Sequence, residues 1–276
     1  MFRENKSKKY FFKSKKKNFF FFDLEILSSI FANWNAQIVL VMNYIEKLTF
    51  EQKQEYYAAL CEMISPERVS LFEKVIEERT DMQCVVVENI YQSQNASAVL
   101  RTCDCVGIQQ VHVIENNNTY QINPDVALGS SQWIDLHRYN RKENNTLDCI
   151  NKLKSQGYKI VATLPHEKDV YLPDLDVNQK MAIVFGNEVE GLSSELIENA
   201  DIYMKIPMYG FTESFNISVS AAITMYNLTD RLRKSGVDYH LSADRRIETL
   251  IKWAKRTIRR SDMIEKELMK RLFSIQ

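Results

Sequence analysis

The stretch IPMYGFTESFNISVSAAITMYNL, residues 206–228, leaves an apolar run at Ile206 and Pro207, crosses a polar loop containing Gly210, and enters an amphipathic helix. Ser214 and Asn216 mark the helix start, because short oxygen-bearing side chains accept bonds from first-turn amides. Ile217, Ala221, Met225 and Leu228 then recur at the spacing of a face laid against a sheet. Ser218, Ser220, Ala221 and Ala222 are small enough for another backbone to come close. A polar loop held between a strand end and a helix start presents unpaired amides and suits a ligand. The same residues also serve as caps in an ordinary strand-loop-helix connection. Taken alone, this stretch leaves both readings open.

Two further stretches decide between them. MAIVFGNEVEGLSSELIENA, residues 181–200, is an apolar run of strand length followed at once by a turn with a glycine at each end. NASAVLRTCDCVGIQQVHVI, residues 95–114, reads as a helix carrying Arg101 and Asp104, ended by Gly107 before a strand. In this order the three stretches resemble the three motifs of the SPOUT superfamily of RNA methyltransferases, in its ribose 2'-O-methylating TrmH-like (SpoU) branch. The pattern is an Asn and an Arg in a first helix, a G-N-E-x-x-G-like turn, then I-P-M followed by S-x-N-x-S-x-A-A. Its positions are filled here by Asn95, Arg101, Gly186, Asn187, Glu188, Gly191, Ile206, Pro207, Met208, Ser214, Asn216, Ser218, Ala221 and Ala222. The resemblance runs from about Gln83 to the end of the chain.

The resemblance implies an α/β fold, a mainly parallel sheet flanked by helices. Its carboxy-terminal part, between about Thr163 and Leu228, is threaded into a trefoil knot. It implies S-adenosylmethionine as methyl donor and a ribose 2'-hydroxyl as acceptor. Arg101 is the expected catalytic residue, with Asn95, Glu188, Ser214 and Asn216 as its partners. Thr163, Gly186, Ile206, Pro207 and Phe215 are expected to hold the cofactor, walled in by Leu164, Pro165 and Met208. The family is described with the arginine activating the ribose hydroxyl. A guanidinium resists deprotonation, however, and serves more easily as a fork for a neighbouring phosphate. Glu188 either orients Asn or Arg side chains or caps its turn. Family members act as homodimers whose sites are completed from both chains.

Composition is compatible with this and selects little by itself. The 276 residues are 45% hydrophobic and 26% charged, with a formal net charge of zero, so the chain can bury a core. Five scattered cysteines read as reduced cytoplasmic thiols, not a disulfide framework. Cys103 and Cys105 stand two apart on a helix and point away from each other. No metal site is expected. With no G-x-G-x-x-G fingerprint and no P-loop present, a nucleotide-like cofactor must be held by loop amides and apolar contacts.

In chain order, residues 1–41 carry a lysine run and an aromatic run and are expected to be a disordered or spurious extension, with Met42 an alternative start. A signal anchor is disfavoured because the uncharged segment from Ile26 to Ile45 includes Ser28, Ser29, Asn33, Asn35, Gln37 and Asn43. Residues 42–82 form a helical appendage. One helix opens at Thr49 and another at Ser65-Pro66, running to about Arg79, and the appendage either packs or helps grip RNA. In residues 83–230, strands CVVVE, VHVIE, YKIVAT, MAIVF and DIYMKI alternate with helices around 96–106, 143–156 and 193–199, the pattern of a mainly parallel sheet covered on both faces. Residues 231–276 form a basic helical extension, with Ser242 opening a helix that holds Arg245 through Arg260. That helix is either a solvated face or an RNA-backbone contact. The extension also resembles that of tRNA guanosine-18 2'-O-methyltransferases, which turns the expected substrate toward tRNA. A ribosomal RNA methyltransferase of the same family, or an inactive RNA-binding protein of this fold, are the alternatives.

Overall fold

The computed structural model describes residue 45, residues 47–164 and residues 170–273. The expectations for residues 1–41, Met42 and Pro165 lie outside the described residues. Residues 50–276 form one compact unit, which carries the fold.

Seven strands make one sheet: β1 (Gln83–Glu88), β2 (Gln110–Ile114), β3 (Asp135–Tyr139), β4 (Lys159–Thr163), β5 (Val170–Tyr171), β6 (Met181–Phe185) and β7 (Ile202–Lys205). Their order is β3-β2-β1-β6-β4-β7-β5, and every pairing is parallel. The expected parallel sheet is present. β3 and β5 were not legible in the sequence, for a physical reason. β3 reads DLHRY and lies beside only one other strand, so it needs no apolar run. β5 is two residues long.

Parallel strands buried on both faces read as continuous apolar runs, and Gln83–Glu88 and Met181–Phe185 are buried at every position. On one face α3 (Ser93–Val106) and the long helix Ile217–Lys234 bring Val99, Leu100, Cys103, Ala221, Met225 and Leu228 onto Val85, Val87, Val111 and Ile183. On the other face, Thr146–Ser155 and Ser194–Glu198 bring Cys149, Ile150, Leu153 and Leu196 onto Cys84, Val86, Ile160 and Val184. Cys103 is buried and Cys105 exposed, as their spacing requires. In order, the helices are α1 (Phe50–Cys61), α2 (Pro66–Ile76), α3, α4 (Pro124–Ala127), α5 (Thr146–Ser155), α6 (Ser194–Glu198), α7 (Ile217–Lys234), α8 (Ala243–Thr257) and α9 (Ser261–Phe273).

The caps follow the sequence. Ser65 accepts from the Arg68 amide, Ser193 from Leu196, Asn216 from Ser218 and Ser242 from Arg245. Ser214 does not cap α7; Asn216 alone does. Gly107 ends α3 at φ +83, where an added Cβ would lie 2.2 Å from the Glu78 carbonyl oxygen, so only glycine fits that close approach. α2 stops at Ile76, short of Arg79.

The basic extension differs from its expected form in two ways. The helix opened by Ser242 ends at Thr257, because Ile258 is extended and Arg260 is left-handed at φ 57. Arg259 and Arg260 therefore sit in a break, after which α9 begins. Most cations of α8 are also committed internally. Arg245 bonds Asp81 and Asp135 at 3.0 Å each, Lys252 bonds Asp135 at 3.1 Å, and Lys255 bonds Glu265 at 2.7 Å. Arg246 pairs with Glu77, and Arg256 donates to the Gln132 carbonyl. α8 packs on α1 and α2, with Trp253 at 5.7 Å from Phe72 and 6.1 Å from Trp133. α1, α2 and α8 thus form one packed layer beside β3.

Asp135 is buried and receives two of these cations. Removing Arg245 leaves it under-compensated, and breaking such a pair costs on the order of 3 kcal/mol. Arg245→Gln is expected to lower the urea midpoint accordingly. An unchanged midpoint would mean that α8 is not held by this ion pair.

Candidate active site

Every strand of a parallel sheet points its carboxy-terminal end the same way. The loops after β1, β6, β4 and β7, four neighbouring strands, therefore open on one edge. They carry Asn89 to Asn95, Gly186 to Gly191, Leu164, and Ile206 to Asn216 respectively. The sequence order hides this, since β6 lies between β1 and β4.

One chain of hydrogen bonds joins three of these loops. Asn216 Nδ2 donates to Asn95 Oδ1 at 3.3 Å, and Asn95 Nδ2 donates to Glu188 Oε1 at 2.8 Å. Glu188 also accepts the backbone amides of Tyr91 and Gln92, at 3.0 and 3.2 Å. Asn216 Oδ1 is occupied by the Ser218 amide at 2.9 Å and its hydroxyl at 2.6 Å. Glu188 thus orients an asparagine and also engages its own backbone amide. Burial acts to raise its carboxyl pKa, but the bonds from Asn95 and the Tyr91 and Gln92 amides outweigh it and hold the group below 4.5.

The turn itself is closed by Asn187. Its amide and carbonyl exchange bonds with Gly191 at 2.8 and 3.0 Å, its Oδ1 accepts from Val189 and Glu190, and its Nδ2 donates to the Asn89 carbonyl at 2.7 Å. An added Cβ on Gly186 would meet the Gly191 carbonyl carbon and oxygen at 2.3 Å, so the first glycine is needed for the turn to close. Two residues that sequence reasoning passed over support it. Glu88, buried at the end of β1, accepts from the Ser193 amide and hydroxyl and from Thr146 Oγ1. Asn89, at φ 52, accepts the Asn116 and Asn117 amides. The available signal was a polar pair ending an otherwise apolar strand.

Of the residues expected to act in catalysis, Asn95, Glu188 and Asn216 are brought together. Ser214 is exposed in the loop and makes no hydrogen bond among the described residues. Arg101 is exposed on α3 without an ion pair or hydrogen bond among the described residues, about 9 Å along the helix axis from Asn95 at 1.5 Å per residue. It is not part of the bonded cluster. Its charge is unneutralised by the protein and free to meet an anion.

Of the expected cofactor residues, Thr163 and Leu164 follow at the end of β4, and Thr163 Oγ1 donates to the Val184 carbonyl at 2.7 Å. Gly186 ends β6, and Ile206, Pro207 and Met208 follow β7. The backbone of residues 206–215 makes no hydrogen bond among the described residues. Met208 and Phe215 are exposed at 38% and 43%, and Tyr209 and Phe211 almost wholly so. The loop thus offers free amides and carbonyls beside apolar side chains, a donor set that suits an adenosyl group as well as the family resemblance implies. Among the described residues no cluster of His, Cys, Asp or Glu could hold a metal ion.

Residues 82–226 match the SpoU rRNA Methylase family. The chain is 48% identical over 206 residues to the tRNA (guanosine(18)-2'-O)-methyltransferase of Borreliella burgdorferi, covering 75% of this chain and 93% of that protein. It is 30% identical to the enzyme of the same name from Aquifex aeolicus, over 70% of this chain and 90% of that one. The crystal structure of the A. aeolicus TrmH/SpoU tRNA modifying enzyme superposes with a TM-score of 0.63 at 29% identity, over 70% of this chain and 98% of that structure.

The Glu188 geometry has a measurable consequence. Glu188→Ala leaves Asn95 and two amides without their acceptor and is expected to cost about 1–3 kcal/mol at neutral pH. Because the folded carboxyl lies below 4.5, its stabilisation is complete above that pH and disappears as pH falls through the folded value. Urea titrations of wild type and variant should therefore converge in acid. A gap that persists undiminished in strong acid would show that the carboxylate charge is not what holds the loops.

Proposed function

Because the chain belongs to the SpoU rRNA methylase family, we propose that it transfers the methyl group of S-adenosylmethionine to a ribose 2'-hydroxyl of tRNA, at guanosine 18. The observation that carries this reading is the 48% identity spanning 93% of a relative so named, together with the hydrogen-bonded junction of the three motif loops. The relatives' names favour tRNA over ribosomal RNA. The segment between about Thr163 and Leu228 forms the trefoil knot of the superfamily, and the enzyme acts in the cytoplasm, in accord with five free thiols. Among the described residues no helix is long and apolar enough to cross a membrane.

The bound cofactor supplies an electrophilic methyl on a sulfonium with a neutral leaving group. The protein has then to align the acceptor and stabilise the charge it develops. The free backbone of residues 206–210, with Gly186 and Thr163 at neighbouring strand ends, holds the cofactor, and Leu164, Pro207, Met208 and Phe215 exclude water around it. Asn95, fixed at both ends by Asn216 and Glu188, is a positioning residue: it sets the start of α3 relative to the other two loops. Arg101 approaches the RNA backbone, where its fork binds phosphate and lowers the cost of the nascent alkoxide. Ser214 lies in the same loop as Phe215 and Asn216 and is available to the ribose.

The active form is a homodimer. On α7 and just before it, Phe215, Val219, Ile223 and Tyr226 are exposed at 43, 44, 37 and 67% along one stripe, while the opposite face of α7 is buried on the sheet. A large apolar stripe beside the site marks an interaction surface, and a second chain covering it could deliver its Arg101 to a site from which this chain's own arginine stands apart.

Purified protein incubated with S-adenosylmethionine and unmodified bulk tRNA should place a methyl on the ribose of guanosine 18, located by mass spectrometry of nuclease fragments. In the same assay Arg101→Ala should reduce methyl transfer by at least about a hundredfold, within the range for loss of an electrostatic group at a reacting centre, while calorimetry shows cofactor affinity intact. Undiminished turnover would remove Arg101 from the mechanism. Sedimentation should find wild type dimeric and Ile223→Glu monomeric at micromolar concentration. A monomeric wild type with full activity would end the shared-site reading.

A further inference from the structure

A cavity of about 580 Å³ lies between the start of α3 and the loop after β2, within the size range of small-molecule sites. Tyr91, Gln92, Gln94, Asn117, Asn118 and Gln121 line it, and every lining side chain is uncharged. Its wall is continuous with the junction described above, because the Tyr91 and Gln92 amides bind Glu188, and Gln92 Oε1 accepts from Asn95 Nδ2 at 3.3 Å. The side-chain amides of Gln94, Asn117 and Gln121 have no hydrogen-bond partner among the described residues. Tyr91 is 71% exposed, with its phenol free as well.

We infer that this cavity is the base subsite, taking the guanine of the nucleotide whose ribose is methylated. The inference rests on the function proposed above. A phosphate subsite would be lined by Arg or Lys, and none is present. Primary amides carry a donor and an acceptor together, as does the edge of a nucleobase, and paired amide contacts distinguish one base from another. An exposed tyrosine beside them supplies a ring on which an unstacked RNA base can lie. Asn118 is already oriented, its Nδ2 bound to the Asn89 carbonyl at 2.9 Å, which leaves its oxygen as a fixed acceptor for a donor such as the guanine amino group. The cavity also touches the residues that fix Asn95, so a base seated there keeps its ribose at the edge where the three motif loops meet.

The test compares tRNA transcripts carrying guanosine or adenosine at the target position. The full-length Asn117→Leu/Gln121→Leu double variant is assayed beside wild type, with Gln94→Leu as a second variant. Wild type should prefer guanosine. The double variant should lose at least about tenfold in kcat/KM on guanosine, within the range for a lost paired base contact, and stay within about twofold on adenosine. Tyr91→Ala should lower both substrates alike by about tenfold, since stacking is indifferent to base identity, and Tyr91→Phe should restore both. Cofactor affinity by calorimetry should be unchanged in all variants. A wild type indifferent to the base, or amide variants that reduce both substrates equally or neither, would overturn the base subsite while leaving the methyltransferase reading intact. A wild type that binds the cofactor but methylates no tRNA would remove that reading, and the subsite with it.

Discussion

The relay from Asn216 through Asn95 to Glu188 is the constraint around which the functional edge is arranged. Its two bonds span 93 and 121 residues of chain, and both lie at the edge of the sheet, beyond the ends of the strands, with Asn95 in the first turn of α3. Its strength comes from the carboxylate at its end. Hydrogen bonds to an ionised acceptor are roughly twice as strong as neutral ones, and Glu188 accepts from a side chain and two backbone amides at once. Asn95 is buried and both ends of its amide are used, so it has no freedom to rotate. The relay therefore supplies fixed geometry and leaves the chemistry to groups that are still free.

Those free groups are distributed unevenly, and the distribution is informative. At Asn187 every polar atom, backbone and side chain, has a partner within the protein. In the loop 206–215, on Arg101, and in the amide-lined cavity, polar groups stand without one. A protein that satisfies one half of an edge and leaves the other half open has built a scaffold beside a binding surface. Here the open half carries unpaired backbone amides, one unpaired cation, and neutral side-chain amides beside an exposed ring.

The basic extension shows how a count of charges misleads. Arg245, Arg246, Lys252, Lys255 and Arg256 read in sequence as a cationic helix face, yet each is spent on a carboxylate or carbonyl of the protein. Apart from Glu265, which pairs with Lys255 ten residues away, these partners lie more than a hundred residues upstream, so no local window reveals most of the neutralisation. Arg259 and Arg260, in the break before α9, are exposed and make no ion pair among the described residues.

By itself the sequence determined most of the elements and the identity of the motif residues. An apolar run such as MAIVF has the length and branched composition of a buried strand, Ser65, Asn216 and Ser242 cap where their side chains reach the next amides, and Gly107 ends a helix where a positive φ is needed. These are local effects, complete within a few residues of chain. What the tertiary structure alone decided was which strand lies beside which, that DLHRY pairs at an edge, that Arg101 stands outside the Asn95 cluster while Asn216 belongs to it, and that α8 is neutralised from within. Each of these depends on contacts between residues far apart in the chain, and one-dimensional periodicity carries no record of which distant partner a side chain will meet.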